Sequence, residues 1–383
     1  MEGGGSMEDW RIRPIQEPVQ LGSYPASDVT FLLKDLSAIP LEQSTDDRER
    51  AIQSGTHYSE MLPVEQQPAA DYLALYHETL RLSAKKVALA VGTTAEMIRS
   101  NKGANTVLVS LARAGTPAGI LIRRYLLEIH QTDMPHYSIS IIRGKGIDEN
   151  ALMYILQKHP GAKLQFVDGW TGKGAIRKVL SEACSKMDRD YGIKLDDDLA
   201  VLADPGQCAE MFGTREDFLI PSACLNAPVS GLMSRTVMRE DLIGPHDFHG
   251  SKFYKEWLEQ DLSNHFISAI VPFFSEIARE AEQIAVDFTE QPPSMSWKGL
   301  RDIQAIQNEY AVADINLIKP GVGETTRVLL RRVPWRILVD RLDNPNIRHI
   351  LHLAEAREVP VEVYPGLTYS CCGIIKSVKG DAE

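Results

Sequence analysis

Between residues 106 and 203 the chain alternates strand with helix, and that rhythm limits the fold more than any other feature of the sequence. Residues 106–110 form a β-branched apolar run that reads as a strand, and 137–142, 163–168 and 199–203 read as further strands. The spacing predicts helices between them over 117–128, 149–158 and 174–187. Strands separated by helices of this length form a parallel sheet covered on both faces. Such sheets bind ligands beyond the carboxyl ends of their strands. The loops after Ser110, Ile142 and Asp168 therefore carry the candidate site.

Flanking segments complete the organisation. Residues 1–6, Met-Glu-Gly-Gly-Gly-Ser, precede a second methionine and read as a tag scar. The first sixty or so residues read as an extended arm, followed by a helix over 69–100. A helical region is expected over 253–287, and the proline- and serine-rich stretch 291–296 reads as a linker. The expected domains are thus 7–292 and 296–383. The second has helices near 300–309, 325–332 and 347–357, and strands near 315–318, 336–339 and 361–364.

Charge and cysteine content exclude several classes. The net charge of −11 argues against a protein that coats nucleic acid indiscriminately. From Ser296 onward the balance is +1, against −12 before it, so an anionic partner belongs to the C-terminal piece. The longest apolar run, 266–274, holds Ser268 and Pro272 and falls well short of the roughly 18 residues a membrane span needs. With no signal-peptide pattern at the start, a cytoplasmic protein without a membrane partner is expected. Cys184, Cys208 and Cys224 are scattered, and Cys371 and Cys372 are adjacent. That pattern fits neither a disulfide framework nor a zinc site.

The three loops share one chemistry. After the first strand come Arg113, Ala114, Gly115, Thr116 and Pro117, small residues that open a helix whose amides suit an anion. After the second come Arg143 and Lys145 on a glycine frame. After the third, Asp168 is followed by Thr171, Gly172, Lys173 and Gly174. Only two residues separate Gly169 from Gly172-Lys173, and Gly174 follows, so the triphosphatase P-loop pattern fails.

Arg113 to Pro117 and the run Phe166-Val167-Asp168 with Thr171 to Gly174 resemble the pyrophosphate and ribose-phosphate loops of type I phosphoribosyltransferases. Gly169 stands where that family has a second acidic residue. The resemblance implies an α/β fold of that type, with phosphoribosyl diphosphate as co-substrate and a base-like small molecule as acceptor. It implies Mg²⁺ held indirectly through Asp168, with Asp168, Arg143 and Lys145 as catalytic groups that neutralise the leaving pyrophosphate. Arg113, Ala114, Gly115, Thr116, Thr171, Gly172, Lys173 and Gly174 would hold the donor.

Cys224, Asn226, Ser230 and Arg235 lie in a polar glycine- and serine-rich stretch, followed by His246 and His249 around Asp247. In the transferase reading they form the acceptor pocket. In the rival reading Cys224 is a peptidase nucleophile with His246 or His249 as its base. A free cysteine is also commonly a small buried apolar residue.

Pro320 to Arg327 resembles the turn of the pelota/L7Ae RNA-binding family, with Gly323 in place of an asparagine. Glu324 would then meet a guanine edge, and Arg327, Arg331 and Arg332 would meet phosphates of structured RNA, in a small α/β/α domain. The two-domain order resembles bacterial proteins of tellurite-resistance stress clusters, a group also called the StiP cysteine protease family. Phosphoribosyl transfer is the favoured expectation. A Cys224-dependent peptidase is the first alternative, and a non-catalytic nucleotide- or RNA-binding stress protein the second. A homo-oligomer is compatible with each.

Overall fold

The expected alternation becomes a seven-stranded sheet. In the computed structural model, which describes residues 10–65 and 67–376, its strands are β1 (Thr30–Leu32), β2 (Thr106–Ala112), β3 (His136–Ile142), β4 (Gly146–Ile147), β5 (Lys163–Trp170), β6 (Leu199–Ala203) and β7 (Met211–Thr214). The leader expected at 1–6 lies outside the described residues. The order is β1-β3-β2-β5-β6-β7, parallel throughout, with β4 turned back antiparallel on β3. Strands buried on both faces read as continuous apolar runs, and Val107, Leu108 and Val109 are all buried. The chain leaves β2 for β3 on one side, then crosses back to β5 on the other. The switch point between β2 and β5 is where an open α/β sheet forms its ligand crevice.

Helices α1 (Ala70–Lys102), α2 (Gly115–His130), α3 (Glu149–Lys158) and α4 (Ala175–Tyr191) cover the sheet, with α5 (Ser263–Ile270) and α6 (Phe274–Glu290) following. At 33 residues α1 is about 50 Å long, and it packs on α2, α6 and β7. The helical region expected at 253–287 is broken. Pro272 has no N–H to give the helical ladder, and a single tight turn, Val271–Phe273, separates α5 from α6.

The C-terminal domain holds α7 (Lys298–Glu309), β8 (Ile318–Pro320), α8 (Val322–Arg331), β9 (Pro334–Val339), α9 (Arg348–Ala356), β10 (Val361–Val363) and β11 (Cys371–Ile375). Its sheet order is β8-β11-β9-β10, with β11 antiparallel to both neighbours. The strand expected at 315–318 is a 3₁₀ turn, Ile315–Leu317, leading into β8. Cys371 and Cys372 point to opposite faces of β11: Cys372 joins the core with Ile303 and Leu338, and Cys371 joins the core shared with Val322. The architecture is therefore mixed α/β, a parallel sheet core plus a small C-terminal domain. Among the described residues no helix is long and apolar enough to cross a membrane.

Gly213 of β7 lies tight against α1. A Cβ there would lie 2.2 Å from the Ala90 carbonyl oxygen and 2.5 Å from its Cα. Backbone cannot give way as a side-chain tip can, so Gly213→Ala is expected to lower stability by about 1–3 kcal/mol. Urea unfolding followed by circular dichroism checks this, and an unchanged midpoint would show that α1 and β7 separate freely.

Candidate functional site

The loops at the switch point lean on one another. A Cβ at Gly115 would meet the Val167 carbonyl oxygen at 2.4 Å, so the start of α2 approaches β5 as closely as backbone allows. Ala114 is exposed, and buried Thr116 shares a hydrogen bond with Ser138 at 2.7 Å. Arg143 and Lys145 project to the surface. The Arg143 amide donates to the Tyr58 hydroxyl oxygen at 2.9 Å, and its guanidinium lies 5.7 Å from the Tyr58 ring centre. Asp168 accepts from the Gly169 amide at 2.8 Å, and burial pushes its carboxyl up to about 7.

The turn expected to hold a phosphate is committed elsewhere. Thr171 donates to Asp204 at 2.7 Å, and Lys173 donates to the carbonyls of Ile315 and Ile318 in the C-terminal domain. The Tyr369 hydroxyl donates to the Gly172 carbonyl at 3.1 Å. The Trp297 ring stacks so close to Gly174 that an added Cβ would lie 2.3 Å away. The amino end of α4, which an anion would otherwise use, is covered by this ring. Burial, followed by Lys319 and Arg143, brings Lys173 down to about 8.

Helix α8 of the small domain faces the Cys224 loop. Arg327 Nε donates to the Ala223 carbonyl at 3.0 Å, and Arg331 donates to the Cys224 carbonyl at 3.3 Å. Arg327 also pairs with Glu324 at 3.0 Å and lies 5.9 Å from the Trp170 ring centre. Glu324 and Arg327, expected at RNA, thus contact one another, and Arg327 contacts the large domain. Arg331 and Arg332 are exposed. A narrow crevice between the domains is lined by Trp170, Ile220, Ala223, Pro320 and Glu324. A larger cavity sits at the amino end of the strands, among Trp10, Lys102, Tyr191 and Asp196.

Cys224 itself is buried, and that burial pushes its thiol up to about 12 while Arg327 and Arg331 pull it back. It stands within electrostatic reach of Tyr76, whose hydroxyl is 3.1 Å from His265 Nδ1. His77 packs edge-on against the His265 ring at 5.6 Å. The histidines expected as bases are occupied otherwise. His249 Nδ1 is 2.9 Å from the Ser140 hydroxyl, and His246 is an exposed loop residue. Of the remaining pocket residues, the Ser230 hydroxyl donates to the Asn226 carbonyl at 2.9 Å. Arg235 lies 5.6 Å from the Tyr58 ring centre. Tyr76 and His265 were not legible as a pair, because 188 intervening residues separate two unremarked side chains.

The model of a family described as tellurite-like stress resistance cysteine protease StiP matches residues 22–271. The PELOTA RNA binding domain model matches residues 297–377. A protein named cysteine protease StiP from Acinetobacter baylyi is 34% identical over 351 residues, covering 89% of this chain and 90% of that protein. The first family model and this relative correct the expectation of phosphoribosyl transfer: both name a cysteine protease where the loop resemblance implied a glycosyltransferase using phosphoribosyl diphosphate and magnesium. The Thr171 to Gly174 turn makes domain contacts instead.

Asp168 generates a test of its own environment. Its folded value of about 7 exceeds the roughly 3.9 of an unfolded aspartate, so the folded protein binds the extra proton between those limits. Stability from this group is present at low pH and is lost as pH rises toward 7. Asp168→Asn is expected to melt about 2–5 °C above wild type at pH 8 and close to it near pH 4.5. Thermal melts at the two pH values check this; coincident melts at pH 8 would mean the carboxylate has a compensating partner.

Proposed function

We propose a thiol-dependent peptidase with Cys224 as nucleophile, and the premise is plain: the chain belongs to the tellurite-like stress resistance cysteine protease StiP family. The observation that carries the choice of cysteine is electrostatic. All five cysteines are free and buried, but only Cys224 has charged neighbours that are all cations, Arg327 and Arg331. Cys184 faces Asp197, Cys208 faces Asp204, and Cys371 and Cys372 both face Asp217. A thiolate is the nucleophilic form, and adjacent guanidinium groups stabilise it.

In this reading the thiol proton passes through the Tyr76 hydroxyl to His265. Burial and the neighbouring His77 keep His265 below the usual histidine range, hence neutral and able to accept at pH 7. The sulfur attacks a peptide carbonyl, the C–N bond breaks, and the amine leaves with the proton. Water then hydrolyses the thioester. The form described here is the resting one, with Cys224 shut beneath α8, and substrate access requires the Cys224 loop and α8 to part. We read the scaffold as phosphoribosyltransferase-like on the order of its three loops. RNA contact is part of the proposal through Arg331 and Arg332, the two expected RNA residues that stay exposed.

A peptidyl electrophile that traps thiolates tests the assignment. Wild type is expected to be labelled at Cys224, and Cys224→Ser to lose both labelling and peptide cleavage. Arg327→Gln removes a charge that favours the thiolate, so the pH midpoint of labelling should move up by about one unit, with roughly tenfold slower labelling at pH 7. Cleavage retained in Cys224→Ser would overturn the nucleophile.

A further inference from the structure

The least satisfied charge in the described structure is Arg235. Its Nε is buried without a hydrogen-bond partner, and its guanidinium forms no ion pair among the described residues. Its neighbours make matters worse. Burial, then Arg48 and Arg113, bring it down to about 10. Arg113 is itself largely buried, held by the Met233 carbonyl at 2.9 Å and by Glu65 at 3.6 Å. Arg143 and Arg235 flank the same Tyr58 ring, at 5.7 and 5.6 Å.

Among the described residues, Glu65 is the carboxylate that acts on Arg113 and Arg235. A cationic group kept out of water without a counter-ion is costly, and folded proteins normally pair it. In a chain of net charge −11 such a local surplus of arginine marks a place for a bound anion. The group also lies on a path to the nucleophile: Arg113 is in electrostatic contact with both Arg327 and Arg331, which flank Cys224.

We infer that Arg235, with Arg113 and Arg143 around Tyr58, is a specificity site that binds an acidic side chain of the peptide substrate. The inference rests on the peptidase reading. A guanidinium fork matches a carboxylate bidentately, and the guanidinium groups of Arg143 and Arg235 lie 5.7 and 5.6 Å from the one Tyr58 ring centre. Depth favours peptide over RNA: Arg113 has only 16% of its side chain exposed. A single carboxylate on an extended chain can reach a half-buried guanidinium group, whereas a phosphate backbone is met by cations spread along a surface.

The test measures binding by fluorescence anisotropy on the full chain in the Cys224→Ser background, so that cleavage plays no part. Two C-terminally amidated, fluorescein-labelled decapeptides are compared, one with a central Glu-Glu and one with Gln-Gln. The Glu-Glu peptide is expected to bind roughly tenfold or more tighter, with the advantage lost in Arg235→Met. Arg235→Met keeps the apolar stem and removes an unpaired charge, so its melting temperature should be no lower than that of the parent. Equal binding of the two peptides, or an Arg235→Met that melts earlier, would overturn the inference. So would a single-stranded RNA oligomer whose binding depends on Arg235. Failure of the peptidase reading would appear separately, as absent cleavage in wild type with the peptide preference intact.

Discussion

Asp217 accepts hydrogen bonds from the Val322 amide at 3.0 Å and the Ser370 amide at 2.8 Å, while its own carbonyl accepts from the Ser370 hydroxyl at 2.7 Å. One carboxylate from the large domain thus caps the amino end of α8 and the approach to β11 together. Helix starts leave backbone N–H groups without intrahelical partners, and a negative charge there is favourable. Burial nonetheless pushes the Asp217 carboxyl up to about 6 against the pull of those amides. The joint is therefore tight and polar. It is specified by geometry: Gly321, at φ +89°, lets the chain turn beside the carboxylate where a side chain would be strained.

Once Asp217 fixes α8, the rest of the interface follows. Arg327 reaches Ala223 and Arg331 reaches Cys224, Lys173 spans to Ile315, and Trp297 closes over Gly174. The small domain is in effect a wall of the candidate site. A charge-bearing helix placed against the Cys224 loop does what a neighbouring imidazolium does in other thiol sites, since it supplies positive potential at the sulfur.

Where signals were local, the sequence was readable. Residues 149–158 and 199–203 match α3 and β6 at both ends, because Asp148 caps the helix and five consecutive apolar residues make a buried strand. Strands β1 and β11 were not anticipated. Three residues, Thr30–Leu32, carry too little pattern, and Cys-Cys-Gly-Ile-Ile gains its strand state from two partners distant in sequence. The loop of Thr171 to Gly174 is ambiguous in sequence for a more instructive reason. Small residues permit backbone to approach a phosphate, and they equally permit an indole ring or another domain to approach. Composition records the freedom and not its use. For the same reason Cys224 was visible as a candidate while its setting was not, because Arg327, Tyr76 and His265 meet it only in three dimensions.

Docking acts on Cys224 in two opposed ways. It brings Arg327 and Arg331 near, which favours the thiolate, and it removes water, which disfavours any charge at sulfur. The balance lies with water: a thiol at about 12 leaves a thiolate fraction on the order of 10⁻⁵ at pH 7. Full separation of the domains would restore hydration but take the arginines away, returning the sulfur toward an ordinary cysteine near 8.5. Neither extreme favours reaction. On the proposed peptidase reading, the reactive geometry is a partial opening that wets the sulfur while α8 still presents its guanidinium groups, because the field of a charge reaches several ångströms further than the steric exclusion of water. On that reading Cys224 stays inert until something wedges into the crevice between Ala223 and Glu324, and an entering peptide would do this while bringing the carbonyl to be attacked.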